Sequence, residues 1–523
     1  MDLQKYAYGA SKGSSSRASK PPSYWSGGGG KRKARWDALA DDVLQVVLDQ
    51  LDDRQLAKLA PTDRRTHALA KATIRRKLRL SPSQWHAFQA VLERRESILL
   101  MGPPGSGKSF LLRVLQERMR GPLVTASTGA AAEKIGARTF NSAFCLGLGQ
   151  QTARQIMAKP ALFRVQIAEC RSIIVDEVSM LSTRILELAE AVIRSTKGGM
   201  PQLVACGDPM QLEAVAAKDD GHFYTSKLIK HLQPYILTES HRQGGRSKLL
   251  RVLNRARLGE AKPQDVNWLR NHTAPLATMH PKPPQLFCTV RETTEYNAIH
   301  LGENPNEEWS YHVTQTGVKT DLANWPLTLP AMLFLKVGAR VILLVNLRAG
   351  LGLHNGSTGT VTKCDAHSAT VAFDNGVTHC VARHTCELVK DEKTIATRTQ
   401  LPLLVAYAVS VHRAQGATLD RVSVDLKRCF APGQAYVGLS RVRKVEHMAL
   451  QGLTIDALNN VNPEALRFYK RAVRRAAKRD AERQEAKRKR EAVDVFCGAY
   501  DAELNAMTER AERSVTTPHR PRP

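Results

Sequence analysis

The chain has 523 residues, too many for one hydrophobic core, so its length implies several domains. A formal charge of +28 and a pI near 9.9 set it apart from ordinary metabolic enzymes and favour a polyanionic partner, nucleic acid first and an acidic membrane surface second. Nine cysteines without regular spacing argue against a disulfide framework, no apolar run approaches a membrane span, and the N-terminus carries no signal-peptide core.

Residues 1–36, with "SKGSSSRASKPPSYWSGGGGKRKAR", are rich in Ser, Gly and Lys, a composition that predicts disorder. Residues 37–79 space their apolar side chains as a few short helices do. From 80 to 234 apolar runs alternate with helical patterns, the mark of a parallel α/β sheet whose strands include "SILLM", "PLVTAS", "SIIVDE" and "QLVACGD". A second α/β block runs from 235 to 455 around "PQLFCTV" and "RVSVDL". At about 338–395 it is interrupted by "ARVILLVN", "GSTGTVTKC" and "SATVAFDNGVTHCVA", where alternation and the Asn375-Gly376 turn predict a small antiparallel barrel or sheet. Residues 456–523 form a basic tail. Within it "RFYKRAVRRAAKRDAERQEAKRKREA" reads as a long helix with no broad apolar face, expected to stay solvated.

Within "ILLMGPPGSGKSFLL" lies G-x-x-x-x-G-K-S, Gly102 to Ser109, between a strand and a helix. Glycines let backbone N–H groups wrap an anion, the helix start adds positive dipole, Lys108 can reach outer phosphates and the Ser109 hydroxyl can hold Mg²⁺. Asp176 and Glu177 end the strand "SIIVDE", where one carboxylate can hold Mg²⁺ and the next can orient an attacking water. "CGDPMQL" places Asp208 and Gln211 at the same sheet edge, and a polar Gln there suits a γ-phosphate sensor. Hydrolysis also needs cations against the phosphate oxygens, for which Arg242 in "LTESHRQ" and Arg441 in "YVGLSRVR" are candidates.

"LPLLVAYAVSVHRAQGATLDRVSVDL" followed by "GQAYVGLSRVRKVEHMAL" resembles the petite-integration-frequency (PIF) helicases, close relatives of the RecD-type superfamily-one DNA helicases. "LSPSQWHAFQAVL", "VTASTGAAAEKIGARTFNSAF" and "LFCTVRETTEYNAIHL" extend the resemblance over residues 80 to 455. It implies two RecA-like P-loop domains with an inserted SH3-like β-barrel, together with ATP and Mg²⁺ as cofactors. By the same resemblance Gln84 recognises adenine, and Gly102, Gly105, Ser106, Gly107, Lys108, Ser109 and Phe110 hold the nucleotide. Ser109 and Asp176 hold the metal, and Lys108, Asp176, Glu177, Gln211, Arg242 and Arg441 are catalytic. Gln415 and Gly416 couple the second domain to ATP, and His412, Thr128, Gly129, Thr139 and Asn346 are strand contacts. The implied activity is ATP-driven 5′-to-3′ travel on single-stranded DNA and opening of tailed duplexes, in replication, repair, recombination or telomere maintenance. A monomer in the nucleus is expected, with a mitochondrial or viral replication compartment as alternatives. Two departures, "QLEAV" after the sensor and Asn141 after Thr139-Phe140, bear on DNA grip and coupling more than on hydrolysis. The rival reading is a nucleic-acid-stimulated ATPase switch that separates no strands.

Cys364, His367, His379, Cys380, His384 and Cys386 lie close together, but their spacing fits no standard zinc pairing and "VTHCVA" alternates like a strand. "KRKAR" and "KRKR" can be import signals, phosphate patches or solvated runs. "LADDVLQVVLDQLDDRQLAKLAPTDRRTHALA" is similar to an F-box, with Leu39, Val43, Leu44, Val47, Leu48, Leu51, Leu56 and Leu59 in its apolar places and Ala40 where proline is usual. This similarity implies a Skp-type ubiquitin-ligase adaptor as partner; an ordinary small helical subdomain is the alternative.

Overall fold

The computed structural model of the chain describes residue 48 and residues 64–489, apart from 148, 150, 159–161, 215–219, 243–246, 280–282, 319–328, 346, 348–350, 354, 391–392 and 487. The expectations for residues 1–36, and for the F-box-like positions other than Leu48, lie outside these described residues. The chain divides into two units, Met1–Leu80 and Ser81–Pro523. In the first, helix α1 (Arg64–Lys77) closes with Arg75, Arg76 and Lys77, cations that suit the negative end of its dipole.

The second unit starts with α2 (Pro82–Leu92), whose entry is fixed by a capping box: the Ser81 hydroxyl accepts from the Gln84 N–H and the Gln84 side chain accepts from the Ser81 N–H. Strand β1 (Ile98–Met101) is buried throughout and runs through the glycine-rich turn into α3 (Lys108–Arg118). Strands β2 (Pro122–Ala126), β3 (Arg138–Thr139), β4 (Ser172–Asp176), β5 (Gln202–Gly207) and β6 (Gln233–Ile236) complete a six-stranded parallel sheet in the order β3-β2-β4-β5-β1-β6. All four expected strands are there. β6 carries the first sheet past the expected boundary at residue 234; its proline and short length concealed it from the pattern.

Helix α4 (Lys248–Leu258) follows, and β7 (Gln285–Phe287) opens a second sheet. The chain then leaves it for β8 (Glu308–His312), β9 (Thr314–Gly317), β10 (Met332–Lys336), β11 (Arg340–Leu343), β12 (Thr358–Cys364), β13 (Ser368–Phe373), β14 (Thr378–Ala382), β15 (His384–Lys390), β16 (Lys393–Gln400) and β17 (Leu403–Val405). It rejoins with β18 (Ala408–Ser410), β19 (Val422–Asp425), helix α5 (Gln434–Leu439) and β20 (Met448–Gln451), giving a parallel sheet in the order β18-β7-β19-β20. The inserted strands are antiparallel throughout: β14-β13-β12-β11-β17, β10-β8 and β15-β16-β9. The hairpin between β13 and β14 turns at Asn375-Gly376, where Gly376 has φ 86°. The insert is wider than residues 338–395 because β8 and β9 precede it, and β9, exposed at all four positions, offers no apolar alternation. Cys364 packs in its core with Tyr311. No group of three or more His, Cys, Asp or Glu suited to a metal occurs among the described residues, and none of their helices is long and apolar enough to cross a membrane.

The basic segment after residue 462 differs from the solvated tail the composition suggests. Residues 463–486 form helix α6, and its Ala465, Phe468, Tyr469 and Ala472 pack into the core of the first sheet. Positions 465, 469, 472 and 476 make one narrow stripe, and alanines there let the helix approach closely. Phe468 lies 5.3 Å from the Tyr224 ring and 6.0 Å from Phe223. Beyond them the helix covers β6, the free edge of the sheet. Pro234, with no N–H to leave unpaired, sits on that edge and its carbonyl accepts from Arg479 at 3.0 Å. The Arg479 guanidinium lies 3.9 Å from the Tyr235 ring centre, and Arg483 donates to the Tyr235 hydroxyl at 2.7 Å and pairs with Glu96. Ala472→Glu should therefore lower stability by about 2–3 kcal/mol in a denaturant titration, through overpacking and a buried unpaired charge, whereas Ala477→Glu on the exposed face should change it by under about 0.5 kcal/mol.

Candidate active site

The turn between β1 and α3 is shaped by what presses on it. Gly105 and Gly107 take φ 79° and 81°, in the left-handed region. A Cβ on Gly105 would collide with Cβ of Arg242, and one on Gly107 would meet the Gln84 amide and come within 3.3 Å of His241. The loop is pinned from both sides: the His241 N–H donates to the Gly105 carbonyl at 2.7 Å, and Gln84 Nε2 donates to the Ser106 carbonyl at 3.2 Å. Inside it, Lys108 Nζ donates to the carbonyls of Gly102 (2.8 Å) and Pro103 (3.1 Å).

A cavity of about 340 Å³ opens over this loop, lined among others by Gly105, Gly107, Lys108, Ser109, Phe110, Asp176, Glu177, Gln211, Arg242, Gly416 and Arg441. Residues separated by hundreds of positions in sequence thus meet in one place. The Ser109 hydroxyl donates to Asp176 Oδ2 at 2.8 Å, and Asp176 Oδ1 accepts the Glu177 N–H at 2.8 Å. Glu177 itself has φ 51°, a conformation costly for a non-glycine residue and characteristic of functional turns.

The cations are unusual. Arg441 is 1% exposed, and its guanidinium donates to the carbonyls of Val437 (2.7 Å), Ala417 (3.1 Å) and Ala414 (3.2 Å) and to the Ser440 hydroxyl (2.6 Å). Burial, with the Arg242 charge adding to it and Glu177 opposing, pushes the Arg441 pKa down to about 9. Arg242 donates to the Ser440 carbonyl at 2.8 Å, and burial lowers its pKa as well. One buried and one half-buried guanidinium therefore face a cavity in which Glu177 supplies opposing negative charge, an environment that selects a further anion.

Other expected site residues lie apart from the cavity lining. Gln84 and Ser106 are buried behind the loop; Gln84 divides its amide between the Ser81 N–H and the loop carbonyls, so here it braces the loop. Gly102 packs against Leu237 and supplies a carbonyl to Lys108. Gln415 reaches Glu177 at 3.5 Å from the turn after β18; His412 is half-buried on the same turn, and burial lowers its pKa. Thr128 caps the short helix Gly129–Lys134, and Thr139 caps Phe140–Ala143, at the ends of the neighbouring strands β2 and β3. Gly129 abuts Asn355 of the insert, whose carbonyl would lie 2.5 Å from a Cβ there. Asn346 lies outside the described residues. Sequence reading passed over Arg113, which lines the cavity; its position four residues after Ser109 on α3 was the available signal.

Comparison with known proteins agrees with this geometry. Residues 79–274 match the AAA domain family model, and residues 326–364 match that of the DNA helicase Pif1 2B domain. The chain is 31% identical over 435 residues to the ATP-dependent DNA helicase PIF1 of Xenopus laevis, covering 79% of this chain and 67% of that one. It is 31% identical over 410 residues to ATP-dependent DNA helicase Pif1 of Bdellovibrio bacteriovorus, covering 75% and 92%. The chain belongs to the Pif1 helicase family. Among solved structures, Pif1 helicase from Bacteroides in complex with ADP-AlF3 and single-stranded DNA superposes with a TM-score of 0.66 at 25% identity, over 76% of this chain and 97% of that one. Against the human relative the chain spans 64% of its partner's length.

In a Pif1-type site, Lys108→Ala should remove ATP turnover while leaving the circular dichroism spectrum intact, because the ammonium bonds only loop carbonyls. Arg441→Lys keeps a cation but loses the planar fork, so turnover should fall by about 10³ with ATP affinity within about threefold. In the wild type, kcat/KM for ATP should decline as pH rises through about 9, where Arg441 of the free protein gives up its charge, and be insensitive to this group below that value.

Proposed function

We propose that this chain is an ATP-driven motor that moves 5′ to 3′ along single-stranded DNA and opens tailed duplexes. The observation that carries the reading is the meeting of Arg242, from the segment after β6, and Arg441, from the second sheet, over one phosphate loop. An anion in that cavity touches both α/β layers, so binding and loss of its terminal phosphate can change their relation. Lys108, Gly105 and Gly107 hold the phosphates, Gln211 senses the outermost one, and Glu177 orients the attacking water. Ser109 and Asp176, already 2.8 Å apart, would hold Mg²⁺, which when bound neutralises phosphate charge. Arg242 and Arg441 oppose charge that grows on the leaving phosphate.

The DNA strand is assigned to the ends of β2 and β3 at Thr128, Gly129 and Thr139 and to His412 on the turn after β18; Asn346 is assigned to it by the family resemblance alone. The inserted antiparallel strands are taken as an SH3-like barrel beside that path, which the contact between Gly129 and Asn355 supports. A monomer acting in the nucleus on replication, repair or recombination is part of this reading. A Skp-type adaptor as a second partner is a separate proposal, carried by the F-box-like residues alone and tested by adaptor pull-down of the wild type beside Leu44→Asp, since Leu48 is fully buried and its replacement would test folding.

ATP hydrolysis should rise several-fold with single-stranded DNA, and a duplex with a 5′ tail should be opened in preference to one with a 3′ tail. Stimulated hydrolysis without strand separation would identify a switch, and absence of stimulation would remove the motor reading. Single-strand affinity should fall with salt by about 0.7 counterion for each phosphate neutralised.

A further inference from the structure

Beside the cavity lies a buried ion pair that joins Asp208 of the "CGDPMQL" turn to Arg257, a residue that none of the recognised motifs accounts for. Asp208, at the end of β5, has no exposed surface, and Arg257 on α4 is 4% exposed. The guanidinium grips the carboxylate through Nη2–Oδ1 at 2.7 Å and Nε–Oδ2 at 3.1 Å. Burial drives the Asp208 carboxyl up, yet Arg257 holds it below the ordinary carboxylate range. The same carboxylate accepts the Met210 N–H at 3.2 Å, stands 3.4 Å from Gln211 Nε2 and 3.5 Å from the Tyr436 hydroxyl of α5, and the Asp208 carbonyl accepts the Gln211 N–H at 3.1 Å. The turn that puts Gln211 into the cavity is thus built on Asp208.

Arg257 ties that turn to two other bodies. Its helix packs in the core of the second sheet, and its guanidinium lies 4.2 Å from the Tyr469 ring centre on α6. Gly433, at the start of α5, presses on the same turn: a Cβ there would lie 2.7 Å from the Met210 carbonyl oxygen and 3.4 Å from that of Gln211. α5 leads directly to Arg441.

We propose that Arg257 is a positioning residue which, through Asp208, sets Gln211 in the nucleotide cavity and couples it to the second sheet and α6. A shift of Gln211 as the outermost phosphate leaves is passed through Asp208 to α4. The pairing also explains why a charge is used where an apolar side chain would pack more cheaply: a bidentate fork fixes the carboxylate's rotation, and that rotation aims the turn. This inference rests on the nucleotide-hydrolysing reading of the cavity.

The test compares Arg257→Lys, Gln211→Ala, their combination, and Asp208→Asn/Arg257→Met. Arg257→Lys keeps a cation on Asp208 but not the fork, so kcat with saturating single-stranded DNA should fall about tenfold, with ATP KM within about twofold. Since Arg257 acts through Gln211, adding Arg257→Lys to Gln211→Ala should cost no further kcat. Asp208→Asn/Arg257→Met removes both charges together, so its denaturant midpoint should stay near wild type while base pairs opened per ATP fall at least threefold. Wild-type kcat and coupling in Arg257→Lys would overturn the proposal, as would losses that simply multiply in the combined variant. Both results are readable even where the uncharged pair fails to fold, since neither depends on it. A wild-type protein without hydrolysis would sink the underlying reading instead, and is told apart by measuring it first.

Discussion

Two guanidiniums beside one phosphate loop, Arg441 buried and Arg242 half-buried, set the terms for the rest of the molecule. Arg441 and Arg242 are kept in place by carbonyl dipoles, which stabilise a cation without cancelling it. Full negative charge nearby comes from Glu177, whose backbone is itself held in a costly conformation. A protein tolerates that arrangement only where the surrounding packing over-determines it, and here it does: the Ser440 hydroxyl, the α5 helix and the turn after β18 enclose Arg441, while Gly105 leaves no space between the loop and Arg242. A polyphosphate supplies the missing charge, and because the phosphate loop and Arg441 belong to different layers, it does so by drawing the layers onto the same ligand.

The same logic makes α6 part of the motor body and not an appendage. The residues before it pack in the second sheet's core, where Leu458 is buried, and the Asn460 carbonyl accepts the Gly433 N–H at 2.7 Å. Two residues later Asn462 donates to Glu213 at 3.0 Å, beside the first sheet, and the helix then runs along β6. The crossing from one layer to the other is made within 460–462. Any relative motion of the layers must be absorbed in that short extended stretch or transmitted to the helix.

What could be read from sequence follows from how local each signal is. The phosphate loop, the acidic pair after β4 and the buried strands are written in contiguous runs whose physical meaning depends on neighbours a few residues away, and all appear where expected. β6 escaped because four residues with a proline carry little pattern, and β9 because a fully exposed strand carries none. The packing of α6 escaped because its contact stripe is largely alanines, with apolar bulk only at Phe468 and Tyr469, and a hydrophobicity pattern scarcely registers that among so many cations. Arg257 escaped for a different reason: in sequence it is one arginine among many, and its meaning comes from a carboxylate 49 residues earlier.

Arg257 also changes how the excess of positive charge is to be understood. A net +28 invites the conclusion that the basic segments are there to meet nucleic acid. Yet Arg479 and Arg483 are spent on the carbonyl, ring and carboxylate at the β6 edge, Arg257 on Asp208, and Arg441 on backbone acceptors. None of these gives up a counterion to a phosphate backbone, so none adds to the salt dependence of DNA binding. The charges left for DNA are those on exposed faces with no acidic partner, and their number is smaller than the composition implies. Arginine is used here first as structural material, because its planar fork satisfies several acceptors at once while its charge resists burial next to another cation. The fold uses that resistance at the cavity, where an unmet positive charge is what selects the ligand.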